Sequence, residues 1–82
     1  MTRRTDRRPE AEQFGAAIRH LRESKGLSCY QLADMAGVSF RYVYALEAGD
    51  NNPSLTMIFS LCEALGTTPA TLLDPIWRQR KR

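Results

Sequence analysis

Residues 29–48 read Cys-Tyr-Gln-Leu-Ala-Asp-Met-Ala-Gly-Val-Ser-Phe-Arg-Tyr-Val-Tyr-Ala-Leu-Glu-Ala, and the punctuation in and around this stretch decides the fold. Ser28 and Gln31 stand at capping-box spacing, where a hydroxyl and an amide satisfy each other's free backbone N–H groups. The helix they open runs to about Ala36, with Leu32, Ala33 and Ala36 facing inward. Gly37 breaks it and supplies the positive φ that so tight a turn needs. Ser39 caps a second helix, Phe40 to Ala48, whose inward face is Val43 and Leu46, and Gly49 ends it. Leu32, Val43 and Leu46 form a wedge of core between the two helices, and Ala33 is small where they must approach closely. Phe40, Arg41, Tyr42, Tyr44 and Ala45 are mostly too large or too polar to be the buried face.

The same grammar extends outward. From Pro9 to Lys25, Phe14, Ala17, Ile18 and Leu21 recur at i, i+3, i+4 and i+7, one face of a helix, and Gly26 is its expected stop. Downstream, Asp50-Asn51-Asn52-Pro53 is turn chemistry. Ser54 caps a fourth helix carrying Leu55, Ile58, Leu61, Cys62 and Leu65 on one stripe, closed by Gly66. Thr68-Pro69 is an N-cap with proline at the first helical position. The fifth helix is expected over about Pro69 to Leu73, stopping near Pro75, followed by Ile76-Trp77 and a basic tail. No segment alternates with period two over strand length, and no internal repeat is present. The expected class is all-α, five short helices joined by tight loops.

The chain has 82 residues, of which 43% are hydrophobic, a length and composition that suit one globular domain. Its formal net charge of +3 hides an asymmetry. Residues 1–10 carry Arg3, Arg4, Arg7 and Arg8 against Asp6 and Glu10, a net of +2. Residues 78–82 carry Arg78, Arg80, Lys81 and Arg82, a net of +4. The middle, 11–77, has a net of −3. The expected organisation is therefore a flexible basic arm over 1–10, a folded domain over 11–77 and a basic tail over 78–82. Basic tails commonly serve polyanions, nucleic acid or acidic lipid, or simply keep a chain soluble.

Several function classes fall away. No apolar run approaches the ~20 residues of a membrane span, and the Arg-rich start lacks the apolar stretch of a secretory signal. Cys29 and Cys62 make a poor disulfide framework, so the expectation is a reduced, cytoplasmic protein. With His20 as the sole histidine, no four-ligand zinc set is visible, and no metal or cofactor is expected. No nucleophile has an obvious base, no glycine-rich phosphate loop exists, and Asp34 and Glu63 are too scattered for an acid–base pair, so the chain is not expected to be an enzyme.

Two helices joined by a turn this short fit a helix-turn-helix, and a helix docked by its N-terminal end fits the major groove of B-DNA. The run Leu27-Ser28, Leu32-Ala33, Gly37-Val38-Ser39, Tyr42-Val43, Leu46-Glu47-Ala48-Gly49, Asn52-Pro53-Ser54-Leu55 and Ala64-Leu65-Gly66 resembles the Cro-type, phage-repressor-like (XRE-like) helix-turn-helix family over about residues 14–74, with the motif at about 28–48. The resemblance implies a five-helix, lambda-repressor-like DNA-binding domain working as a symmetric dimer. It places Phe40, Arg41, Tyr44 and Ala45 against bases and Ser28 and Cys29 against a phosphate. It also pairs Arg22 with Glu47 as an internal ion pair. Two departures bear on affinity: Cys29 stands where the family often has Gln, and Asp50 and Asn51 stand where it often has Lys or Arg. These shift phosphate work toward the tails, with Arg3, Arg4, Arg7 and Arg8 assigned to it first. Ser39, Tyr42, Asn51 and Asn52 complete the phosphate-facing candidates.

Each candidate has a plainer alternative. Arg41 can read guanine bidentately or be a solvated surface side chain. Phe40 can touch a thymine methyl or pack on the surface. Tyr42 can give its hydroxyl to a phosphate while its ring packs on the domain. Cys62 reads as a small core residue, and redox sensing through Cys29 lacks a neighbouring base to support it. Phe59, Leu73, Ile76 and Trp77 are assigned to a dimer contact. Together these describe a sequence-specific double-stranded DNA-binding regulator acting as a homodimer on a palindromic operator, most simply a repressor, with contact to RNA polymerase as the route to activation. The alternatives are an antitoxin or other interaction module that binds DNA only with a partner, and a membrane-surface role for the Arg-rich tails, which the expected partner set leaves out.

Overall fold

The computed structural model describes residues 8–80. They form five helices: α1 (Pro9–Ser24), α2 (Cys29–Ala36), α3 (Phe40–Glu47), α4 (Leu55–Leu65) and α5 (Pro69–Arg80). Hydroxyl caps start four of them. Ser28 accepts from the Gln31 N–H at 3.0 Å while the Gln31 amide accepts from the Ser28 N–H at 2.8 Å. Ser39 accepts from Tyr42 N–H at 3.0 Å, and Ser54 from Met57 N–H at 3.1 Å. α5 opens on Thr68, whose hydroxyl accepts from Thr71 N–H at 3.2 Å. α1 has no side-chain cap and starts at Pro9, whose missing N–H is one that a helix start leaves unused anyway. The turn between α2 and α3 is made possible by Gly37 at φ +74°, a left-handed conformation that costs glycine little.

One core joins all five helices. Ile18, Leu32, Val43, Leu46, Leu61 and Leu65 are fully buried, and Phe14, Ala33, Cys62 and Leu72 pack with them. α3 is held between α2 and α1, α4 lies on α2, and α5 returns to α1. α1 and α3 meet at backbone distance: a Cβ on Gly15 would stand 2.2 Å from the Leu46 carbonyl oxygen. Position 15 therefore admits only glycine without a shift of α1 or α3.

Two expectations are corrected. α5 does not stop near Pro75 but runs through it to Arg80. Proline removes one helical hydrogen bond, yet its φ suits a helix, and tertiary contacts hold the segment beyond it. Ile76 packs on the core, Gln13 donates to Gln79 at 2.6 Å, and Arg80 pairs with Glu10. Residues 78–80 are thus the last turn of a helix, and Glu10 lies within α1 instead of an arm. Leu55, expected inward, is 66% exposed, and the α4 stripe meets the core only from Met57 and Ile58 onward. Smaller differences are that α3 ends at Glu47, with Ala48 as its C-cap, and that Ala36 is half-buried.

Candidate nucleic-acid interface

α3 divides its residues cleanly. Val43 and Leu46 are buried, while Arg41 and Tyr44 on the opposite face are exposed, and Phe40 and Ala45 are half-buried beside them. The four base-facing candidates therefore share one outward surface. Arg41 has no ion-pair partner among the described residues. Its guanidinium is left with its full fork of donors, the geometry that suits guanine O6 and N7.

The rings around Phe40 form a group that sequence reasoning missed. Tyr30, in the first turn of α2, stacks on Phe40 with centroids 4.0 Å apart and planes within 7°. Phe40 also meets Tyr44 one turn further along α3, at 5.8 Å and 37°. Tyr30 and Tyr44 are 67% and 65% exposed. The only sequence signal was two tyrosines and a phenylalanine at positions the core does not use.

Behind this surface, Arg22 and Glu47 lock the ends of α1 and α3 together. Arg22 Nε donates to Glu47 Oε2 at 2.7 Å and Nη2 to Oε1 at 3.0 Å. Nη1 donates to the Leu27 carbonyl at 2.7 Å, tying in the loop that precedes α2. The two side chains keep only 11% and 8% of their surface. The hydrogen bonds to Glu47 hold the Arg22 guanidinium above its ordinary pKa.

Of the phosphate-facing candidates, Ser28 and Ser39 use their hydroxyl oxygens as helix caps and keep the O–H for a phosphate, beside backbone N–H groups that favour anions. Cys29 is corrected in one respect. Its Sγ turns to the Arg22–Glu47 pair and donates to Glu47 Oε1 at 3.8 Å, so the thiol is not presented to a phosphate. Burial, and then the Glu47 carboxylate, push that thiol up, the opposite of a reactive cysteine. Tyr42 packs its ring on the core, and burial pushes its phenol up, so it stays a hydroxyl. Asn51 is half-buried and Asn52 exposed in the loop after α3. Arg8 is the exposed N-cap residue of α1, whereas Arg3, Arg4 and Arg7 lie outside the described residues.

The C-terminal cations are engaged within the domain: Arg78 pairs with Asp74 at 2.7 Å and Arg80 with Glu10. Both pairs are exposed and weak; Lys81 and Arg82 lie outside the described residues. On the α4–α5 side, Leu55, Phe59 and Trp77 are 66%, 50% and 56% exposed, while Leu73 and Ile76 are half-buried and packed on the core. Of the expected contact residues, Phe59 and Trp77 are thus the exposed ones and Leu73 and Ile76 belong to the edge of the core. Among the described residues no three His, Cys, Asp or Glu side chains cluster to hold a metal, and no helix is long and apolar enough to cross a membrane.

The helix-turn-helix family model HTH_3 matches residues 18–72, and the chain belongs to that family of DNA-binding transcription regulators, of the Cro and XRE type. An uncharacterised HTH-type transcriptional regulator of Sinorhizobium fredii, y4dJ, is 33% identical over 61 residues, covering 74% of this chain and 79% of that protein. Among solved structures, the restriction–modification controller protein C.AhdI from Aeromonas hydrophila is 38% identical with a TM-score of 0.77, over 79% of this chain and 98% of its own. The clp gene regulator ClgR from Corynebacterium glutamicum is 36% identical with a TM-score of 0.77, over 82% and 87%.

Proposed function

We propose that this protein is a sequence-specific regulator that binds a palindromic operator as a two-fold symmetric homodimer. It inserts α3 into the major groove and represses by occluding a promoter. The observation that carries the reading is α3 itself: Arg41 and Tyr44 are exposed on its outer face while Val43 and Leu46 anchor the inner one, with Arg22–Glu47 fixing its far end. One such helix reads only a short half-site, so useful affinity needs two, spaced about one helical turn, ~34 Å, apart. Leu55, Phe59 and Trp77 supply the apolar surface for the dimer, of the kind that marks protein contacts. The protein acts by binding and not by catalysis, in the cytoplasm, where its operator lies. Activation by touching RNA polymerase uses the same docking.

The test is selection of bound duplexes from a random pool, followed by sedimentation of the protein with the selected duplex. Two protomers per palindromic duplex are expected. One protomer per site, or DNA binding only after a second protein is added, would contradict the homodimer reading, and the second result would favour a partner-dependent module.

A further inference from the structure

Three aromatic rings lie together at the leading edge of the helix-turn-helix, and the core does not use them. Phe40 opens α3 yet is absent from the side chains packed on the hydrophobic cluster; its ring neighbours are Tyr30 and Tyr44, themselves about two-thirds exposed. We infer that Tyr30 is a positioning residue for base recognition: it holds Phe40 in one orientation, so that the start of α3 selects a thymine methyl group in each half-site. This rests on the operator-binding reading above and names the base that this edge would read.

A lone phenylalanine at the first position of a helix has several rotamers open to it, and ordering it on binding costs free energy. The 4.0 Å, 7° stack on Tyr30 restricts that freedom before DNA arrives. Tyr30 belongs to α2 and Phe40 to α3, so the stack also ties the two helices together at their N-terminal ends. An aromatic ring has no hydrogen-bond fork for guanine, adenine or cytosine. What the major groove offers an apolar ring is the thymine C5 methyl. Arg41, next to Phe40, reads polar edges, so the two neighbours divide the work. Burying one methyl corresponds to about a four-fold change in affinity.

Thymines of the selected duplex are replaced one at a time by deoxyuridine, which removes only the methyl group. The expected result is one thymine per half-site whose replacement weakens wild-type binding about four-fold, and about fifteen-fold when both half-sites are changed. Phe40→Ala should bind thymine and deoxyuridine duplexes equally. Tyr30→Ala should narrow the ratio to below about two-fold, while Tyr30→Phe, which keeps the ring and loses the hydroxyl, should restore it. A selected site in which wild-type protein tolerates deoxyuridine at every thymine, or a half-site without thymine, overturns the inference and leaves the operator-binding reading standing. Full discrimination in Tyr30→Ala overturns the positioning role. A random pool from which no site is enriched overturns both.

Discussion

Arg22 and Glu47, on the last turn of α1 and the last residue of α3, form a two-pronged ion pair at 2.7 and 3.0 Å, almost wholly removed from solvent. A third bond, from Arg22 to the Leu27 carbonyl, brings the start of the motif into the same cluster. The recognition helix is thus referenced to α1 by charge at its C-terminal end and by packing along its length.

Breaking one side of that pair leaves a charge buried without its partner. Glu47→Gln or Arg22→Met should each lower stability by about 3–5 kcal/mol, read as a shift in the urea midpoint with little change in slope. The double variant Arg22→Met/Glu47→Leu should recover much of the loss, because two apolar side chains leave no unpaired charge. Additive losses in the double variant would mean that the pair is not coupled.

The backbone approach at Gly15 gives a second prediction. A methyl there would overlap the Leu46 carbonyl, at 2.2 Å. Gly15→Ala should therefore destabilise by about 1–3 kcal/mol or more, although alanine normally favours a helix interior. A melting temperature equal to or above wild type would show that α1 and α3 are free to separate.

Much of this fold was legible locally and some of it was not, for physical reasons. Ser28, Ser39 and Ser54 announce their helices because a cap is a contact between near neighbours in sequence, and Gly37 and Gly66 stop theirs through their own backbone preference. The end of α5 is not legible at Pro75, a local signal, because the bonds that carry the helix past it come from Glu10 and Gln13, far away in the chain. Leu55 has the right spacing for the α4 stripe but lies where no helix covers it. At the site, the outward set Phe40, Arg41, Tyr44 and Ala45 follows from helical periodicity. The Tyr30–Phe40 stack joins two helices across a turn, and no periodicity encodes it.

Cys29 should be a slow nucleophile. Burial and the Glu47 carboxylate raise its pKa, so less thiolate is present at neutral pH than on an open cysteine. Cys62, buried in the core, is shifted in the same direction. Iodoacetamide at pH 8 should modify both more slowly than free cysteine, with full reactivity on unfolding in guanidinium. The linked stability is present below the unfolded thiol pKa and is lost as pH rises through the raised folded values. Alkylation of native Cys29 at the free-thiol rate would contradict this environment.

Residues 1–7 contain Arg3, Arg4 and Arg7 and precede α1. A run of this charge is proposed to add phosphate contacts to a middle segment that is itself acidic. Each contact contributes ~0.9 to the slope of log K against log salt. Deleting 1–7 should weaken binding and flatten that slope by about two to three units per arm, with base preference largely kept. An unchanged slope would reduce the arm to a solubilising tail.

Whether α3 reads sequence is decided by Arg41→Ala, compared on the selected operator and on random duplex at one salt concentration. The expected loss is about 1–3 kcal/mol per half-site on the operator and much smaller on random DNA. Equal losses on both duplexes, with the variant folded as wild type, would show that Arg41 holds a phosphate and that this face of α3 does not specify the site.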